Sequence, residues 1–140
     1  KRGKTMDSIS VKIPVTIKAK LTEKLKARIL EDLENNIKNV ELELQQMDIQ
    51  EKRVVEEQAQ QDLQRVQAIH EQFAMERQKR IDFKAQAEAK IAETKKLAIG
   101  AEIIQGTLER NAEIKIGDNM REVMNVEVLV EDDKVVAIRS

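Results

Sequence analysis

Apolar and polar residues alternate strictly near the start of the chain. Between Ser8 and Lys18, every odd position from 9 to 17 holds a β-branched apolar residue. Alternation with a period of two predicts a strand with one buried face. Pro14 has no N–H to donate to a neighbouring strand, so we expect this strand at a sheet edge, or irregular at that point.

A long stretch with a helical pattern follows. From Ala19 to Ile99 the sequence contains neither Gly nor Pro, which favours helix. Apolar residues recur there at steps of three and four, as in a coiled coil. This first row consists of Leu30, Leu33, Ile37, Val40, Leu44 and Met47. A second row begins with Leu63, Val66, Ile69 and Phe73, and the pattern predicts its continuation, with gaps, through Ile81, Ala85, Ala92 and Ile99.

Alternation returns in residues 100–140. Ile114 and Ile116 alternate with Glu113 and Lys115, and Val126, Val128 and Val130 alternate with Glu127 and Leu129. This alternation predicts two to four short strands. Asp132-Asp133-Lys134 is expected to form the turn between the last two strands, and Gly117-Asp118-Asn119 is a further turn signal.

The order of these segments constrains the architecture. One helix through all 81 residues from 19 to 99 would be about 120 Å long and would separate the first strand from the others. A small sheet needs about three strands to be stable. We therefore predict an α+β protein, in which a long antiparallel coiled-coil helical hairpin carries a small antiparallel β-head formed by the N-terminal strand and the C-terminal strands.

The predicted boundaries follow from the same patterns. Residues 1–7 are taken as a tail or tag remnant, 8–18 and 100–140 as the β-head, and 19–99 as the hairpin, with its turn near 58–62. Asp62 is the expected N-cap of the second helix.

Charge supports two helices that pair. Residues 29–62 hold ten acidic and three basic side chains, whereas 63–100 hold eight basic and five acidic ones. An acidic helix followed by a basic helix indicates pairing. A turn near residue 60 places Glu43 opposite Arg77, Glu41 opposite Lys79, and Asp32 near Lys90.

Composition excludes several functional classes. The chain has no Cys, 1% aromatic residues and a net charge of −1. It therefore has no disulfide, thiol nucleophile or Cys-based metal site, and no apolar run approaches a membrane span. The lack of cysteine favours the cytoplasm. His70 is the single histidine, and no nucleophile–base pair or phosphate-binding loop is found, so we expect no enzyme activity, cofactor or metal.

Two groups of charged residues are candidate interaction sites. Arg77, Lys79, Arg80 and Lys84 form the densest basic patch. It could contact nucleic-acid phosphates, but we favour pairing with Glu41 and Glu43 of the facing helix. Glu56, Glu57 and Asp62 lie at the predicted hairpin tip. We favour a solvated tip over an acidic tip that holds a metal ion, as in transcript-cleavage factors of the Gre type.

Short motifs at both ends of the pattern resemble a known family. They are Leu21-Thr22-Glu23, Ile114-Lys115-Ile116-Gly117-Asp118, and the closing segment from Leu129 to Arg139. On these motifs the chain resembles the YlqD-like family of small, functionally uncharacterised bacterial proteins. Asp133 departs from the family pattern, in which a glycine is expected. The resemblance implies this layout of strands and helices and no activity.

We therefore expect a non-catalytic protein-interaction or scaffold module with an unidentified protein partner. Two helices alone would leave Ile29, Ile49 and Val55 exposed, which favours self-association into a homo-oligomer. The alternative is a binding factor for RNA, the ribosome or RNA polymerase that acts through the basic patch or the tip. A holdase-type chaperone is the third possibility. No membrane partner is expected.

Overall fold

The computed structural model describes residues 5–58 and 62–140 of the chain. Its elements follow in the order β1 (Ser8–Lys20), α1 (Glu23–Gln58), α2 (Leu63–Lys96), β2 (Glu102–Lys115), α3 (Met120–Met124), β3 (Glu127–Glu131) and β4 (Lys134–Arg139). The α+β class is confirmed: two long helices form a hairpin, and strands from the two ends of the chain form one small sheet. Among the described residues, no helix combines the length and apolar character needed to cross a membrane.

The chain divides into two structural units. The sheet unit runs up to Leu25 and resumes at Ala98, and the helical hairpin is Lys26–Leu97. The open end of the hairpin is tied by Lys26, whose Nζ donates to the carbonyl oxygens of Lys95 and Leu97 at 3.1 and 2.9 Å.

The sheet is mixed, whereas the sequence predicted an antiparallel sheet. Its strand order is β2-β1-β3-β4. The β1–β2 and β3–β4 pairs are antiparallel, but β1 and β3 run parallel over Thr16–Ala19. Because β2 and β3 lie on opposite sides of β1, the segment that contains α3 has to cross β1. The five residues of α3 are too few to show a helical period, so the sequence contained no signal for this crossing.

β1 is a central strand, which corrects the expectation that Pro14 marks a sheet edge. Its odd-numbered side chains share one face as predicted, and Ile13 and Val15 on that face are buried, whereas Ile9 at the start of the strand is 52% exposed. β3 pairs with β1 only from Thr16 onward. Pro14 therefore lies where β1 has a partner on one side only, and its missing N–H leaves no gap in the sheet.

The β3–β4 connection is the predicted turn, and it is strained. Asp132 and Asp133 both have positive φ, 47° and 67°. Two central residues with positive φ characterise the type I′ hairpin turn, which favours Gly at the second position. Asp132 also accepts a hydrogen bond from the Thr22 hydroxyl through Oδ1 at 2.8 Å.

Replacing Asp133 by glycine should raise the free energy of unfolding by about 1 kcal/mol, because glycine adopts positive φ without steric strain. Thermal unfolding followed by circular dichroism measures this. Asp132→Gly is the matched control. It relieves similar strain but loses the bond from Thr22, so its gain should be smaller. An equal gain from both variants would contradict the role given to the Thr22 contact.

The first apolar row of the hairpin lies inward as predicted. Val40 and Met47 are buried, and the other four members are half-buried. Of the residues expected to stay exposed, Ile49 is exposed, whereas Ile29 and Val55 are half-buried. The fully buried core of this unit is thin, because two helices cover each other along one stripe only.

The second row differs from the prediction at Leu63 and again after Phe73. Its inward residues keep the spacing of three and four, and they are Val66, Ile69, Phe73, Arg77, Arg80, Lys84, Ala87, Ile91 and Thr94. Leu63, Ile81, Ala85, Ala92 and Ile99 are exposed. The predicted row followed apolar residues, whereas the actual row includes three cations whose aliphatic stems pack inward while their charged ends reach carboxylates.

Asp62 caps α2 as predicted. Its carboxylate accepts a hydrogen bond from the Gln64 N–H at 3.0 Å. α1 ends at Gln58 and α2 begins at Leu63. The remainder of the predicted turn, residues 59–61, lies outside the described residues, as do residues 1–4 of the predicted tail.

Candidate functional site

A charged cluster joins the two helices around Arg77. Its guanidinium donates to Asp48 at 3.0 Å and to Glu51 at 2.7 Å. The other oxygen of Glu51 accepts a hydrogen bond from Nδ1 of His70 at 2.9 Å. The side chains of Arg77 and Glu51 are only 27% and 17% exposed. His70 is thus a partner of Glu51 across the hairpin.

These contacts change the acidity of Glu51. Hydrogen bonds from His70 and then Arg77 hold the pKa of the Glu51 carboxyl below its ordinary value of 4.5. A carboxyl whose pKa is lower in the folded state stabilises the fold above its ordinary pKa, and this stabilisation disappears as pH falls through the folded-state pKa.

Glu51→Gln should therefore destabilise the hairpin in a pH-dependent way. At neutral pH we expect a loss of about 1 kcal/mol, which is typical of a hydrogen bond to a charged group near the surface. The difference in unfolding free energy between the variant and the unsubstituted chain should shrink as pH falls below 4.5. Melting curves at several pH values test this. Glu57→Gln, at an exposed position of α1, is the control, and equal pH dependence in both variants would contradict the assignment.

Two further cations of the basic patch also bind α1. Arg80 donates to Glu43 at 2.9 Å, and Lys84 lies 3.3 Å from Glu41. The pairing of an acidic with a basic helix was predicted, but the partners lie about one helical turn further along α2 than expected. Side chains of a helix lean toward its N-terminus. In an antiparallel pair, α2 side chains therefore reach toward the turn and α1 side chains away from it.

The basic patch is thus largely engaged within the chain. Arg77, Arg80 and Lys84 all contact α1 carboxylates, and Arg80 also contacts Glu76 at 3.2 Å. Lys79 is the member that points to solvent, with 70% of its side chain exposed, and it contacts Glu76 of its own helix. Lys90 contacts Glu93 rather than the predicted Asp32.

The acidic residues of the predicted tip do not converge. Glu56 and Glu57 are exposed in the last turn of α1, and Asp62 is occupied as the cap of α2. Across the parts of the chain that the structure describes, no group of three or more His, Asp or Glu side chains could hold a metal ion.

An open groove runs along the hairpin beside the charged cluster. It has a volume of about 310 Å³. Its apolar lining consists of Met47, Val54, Ile69 and Phe73, and its polar lining of Gln50, Gln72, Glu76 and Arg80. Such a shallow, half-polar groove is a weak candidate for a ligand site, because small-molecule sites enclose most of their ligand.

The sheet has one apolar face. Residues directly opposite each other on paired strands share a face, and the strand register places ten small or apolar residues together. They are Ile103, Gly106 and Leu108 of β2, Val15, Ile17 and Ala19 of β1, Val128 and Val130 of β3, and Val135 and Ile138 of β4. We call this set the apolar sheet face. Val15 and Ala19 at its centre are buried, whereas Leu108, Val135 and Ile138 at its margins are 59%, 60% and 72% exposed.

The opposite face of the sheet carries ion-paired side chains beside two apolar residues, the exposed Ile104 and the buried Leu129. Arg139 contacts Glu102 at 2.6 Å and Glu127 at 2.7 Å, and Glu127 also contacts Lys18 at 3.0 Å. Arg139 lowers the pKa of Glu102, and Lys18 and Arg139 lower that of Glu127. Each of these four charged side chains is therefore paired with an opposite charge.

The margins of the apolar sheet face were not among the candidate residues that the sequence pattern indicated. Alternation around Val128 indicated a buried face, but the half-buried position of Val128 says nothing about its neighbour Ile138. Exposure depends on what covers each strand, so no local signal could identify Leu108 or Ile138 as exposed.

Comparison with known proteins identifies relatives of the whole chain. The family described as YlqD protein matches residues 9–139. A crystal structure of a protein of unknown function from Synechococcus sp. WH 8102 is similar over 95% of both chains, with 27% sequence identity and a TM-score of 0.81. No curated protein matches the chain significantly.

Proposed function

The chain belongs to the YlqD family, and from the surface described above we propose that it is a non-catalytic interaction module that binds a protein partner through the apolar sheet face. As part of this proposal we place it in the cytoplasm, since a chain without cysteine needs no oxidising compartment.

The observation that carries the proposal is the exposure of large apolar side chains in the sheet unit. Ile138 is 72% exposed, and Val135 beside it on the same face is 60% exposed. Apolar surface gains roughly 25 cal/mol for each Å² removed from water. A group of such side chains around a buried centre is typical of a protein-binding surface, whereas single exposed apolar residues are common everywhere.

The alternatives have less support. Binding to RNA, the ribosome or RNA polymerase through the basic patch would require Arg77, Arg80 and Lys84 to leave their α1 partners. A holdase would need a large accessible apolar surface for unfolded chains. The first apolar row of the hairpin is turned inward, and the open groove beside it is shallow and half-polar. The apolar sheet face needs no rearrangement to bind.

Site-specific photo-crosslinking in the native host tests the proposal. A photoreactive residue at Ile138 or Val135 should form an adduct with one defined protein, identical for the two positions. The control is Ser10, an exposed polar residue of β1, which should form no such adduct. Adducts with nucleic acid, or the same adducts from Ser10, would overturn the proposal.

A further inference from the structure

β2 has an unpaired edge that could accept another strand. It is the outermost strand of the sheet and pairs with β1 along its whole length, from Glu102 to Lys115. In the described part of the chain, no strand pairs with its other side. Every residue from Thr107 to Asn111 is exposed. An exposed edge of this length is a template for pairing with a further strand.

The hydrogen-bonding pattern shows which backbone groups point outward. The Ile116 N–H donates to the Asp7 carbonyl at 3.1 Å, and bonded pairs alternate with non-bonded pairs along an antiparallel ladder. Even-numbered residues of β2 from Gly106 to Ile114 therefore bond to β1. Odd-numbered residues from Thr107 to Glu113 direct their N–H and C=O groups to the open edge.

Two further observations agree with this assignment. Thr16 donates its N–H to Val126, on the side of β1 away from β2. Pro14 lies opposite Glu109. This is a non-bonded pair, in which Glu109 receives no backbone hydrogen bond from β1. The open edge of β2 therefore carries a regular row of donors and acceptors.

The side chains of β2 indicate which strand fits this edge. Two copies of β2 that pair about a two-fold axis perpendicular to the sheet would place one residue opposite its own copy. If the two-fold axis passed at Glu109, two carboxylates would face each other. If it passed at Arg110, two guanidinium groups would face each other. Centring on Asn111 would place Glu109 opposite Glu113. Like charges directly opposite are destabilising.

Centring on Leu108 avoids all of these conflicts. The two Leu108 side chains, each 59% exposed in the single chain, would cover each other. Thr107 would lie opposite Glu109 of the second copy, and Arg110 opposite Gly106. Centring on Thr107 also avoids like charges, but it leaves Leu108 opposite Gly106 and uncovered.

We propose that two copies of the chain pair through the open edges of β2, antiparallel, with the two Leu108 side chains facing each other at the two-fold axis. This pairing joins the two sheets into one and makes the apolar sheet faces continuous across the axis. It is independent of the proposed protein partner, because a single chain could bind that partner equally well.

Cysteine crosslinking tests the register, since the chain has no cysteine of its own. Leu108 would occupy a non-bonded pair, in which the Cα atoms are about 4.5 Å apart and a disulfide fits. Purified Leu108→Cys should form a covalent dimer under mild oxidation. The control is Arg110→Cys on the same face, where the two thiol-bearing residues would be four positions, or about 13 Å, apart. We expect about tenfold less dimer from the control.

Sedimentation of the purified chain tests the pairing itself. The unsubstituted chain should sediment as a dimer, and Leu108→Lys should sediment as a monomer, because it places two ammonium groups opposite each other. Circular dichroism shows whether the variants remain folded. A monomeric unsubstituted chain, or equal crosslinking of the two cysteine variants, would overturn the proposal. In either case the crosslinking at Ile138 and Val135 would still decide the proposed function.

Discussion

Replacing Leu21 by alanine is expected to lower the free energy of unfolding by about 2–5 kcal/mol. Leu21 follows β1 directly, and its exposed fraction is 0%. Its N–H donates to Ala101 and its carbonyl accepts from Gly100, both at 2.7 Å. This backbone is held at both groups, so the structure cannot collapse fully into the space that the side chain leaves. The loss therefore includes a cavity contribution in addition to the lost burial.

Leu63→Ala is the matched control for this prediction. The chemical change is the same, but Leu63 is 82% exposed, and substitutions at such positions usually change stability by less than about 0.5 kcal/mol. Urea unfolding followed by NMR signals of β1 amides suits this chain, which has neither Trp nor Tyr. Equal losses at the two leucines would show that Leu21 is not a core residue.

Reversing the charge of Arg77 to glutamate should destabilise the hairpin by about 2 kcal/mol. The substitution removes the hydrogen bonds to Asp48 and Glu51 and places a third carboxylate between them. Lys79→Glu is the control from the same basic patch. Lys79 is 70% exposed and contacts only its own helix, so its reversal should cost less than about 0.5 kcal/mol. Thermal unfolding followed at 222 nm measures both losses.

A second substitution tests the helix register. Adding Glu51→Arg to Arg77→Glu should recover part of the loss, because opposite charges again face each other. Adding Glu43→Arg should not, since Glu43 contacts Arg80. Rescue by Glu43→Arg alone would instead support the register that the charge pattern predicted.

The candidate surfaces show how far a sequence-based prediction can reach. The acidic and basic halves of the helical region were visible as composition, and they predicted that the helices pair. The specific partners were not predictable, because a contact depends on how each side chain leans as well as on its position. The same limit explains why the predicted second row passed over Arg77, Arg80 and Lys84, which belong to the inward row.

The apolar sheet face shows a second limit. Alternation along β1 predicted which side chains share a face, and this is correct for Ile13 and Val15. Strand order, in contrast, follows from the route of the chain between strands. The crossing through α3 puts β3 beside β1 and leaves β2 at the edge. The local sequence pattern of β2 does not predict that it is an edge strand.

The sequence by itself determined the α+β class, the single fold-back of the helical region, the cap at Asp62 and the turn at Asp132 and Asp133. Each of these depends on residues close together along the chain, through periodicity, capping or backbone conformation. Only the tertiary structure decided the mixed strand order, the ion-pair register, the exposed margins of the apolar sheet face and the open edge of β2. These depend on which distant segments meet, because burial and pairing are properties of the assembled chain.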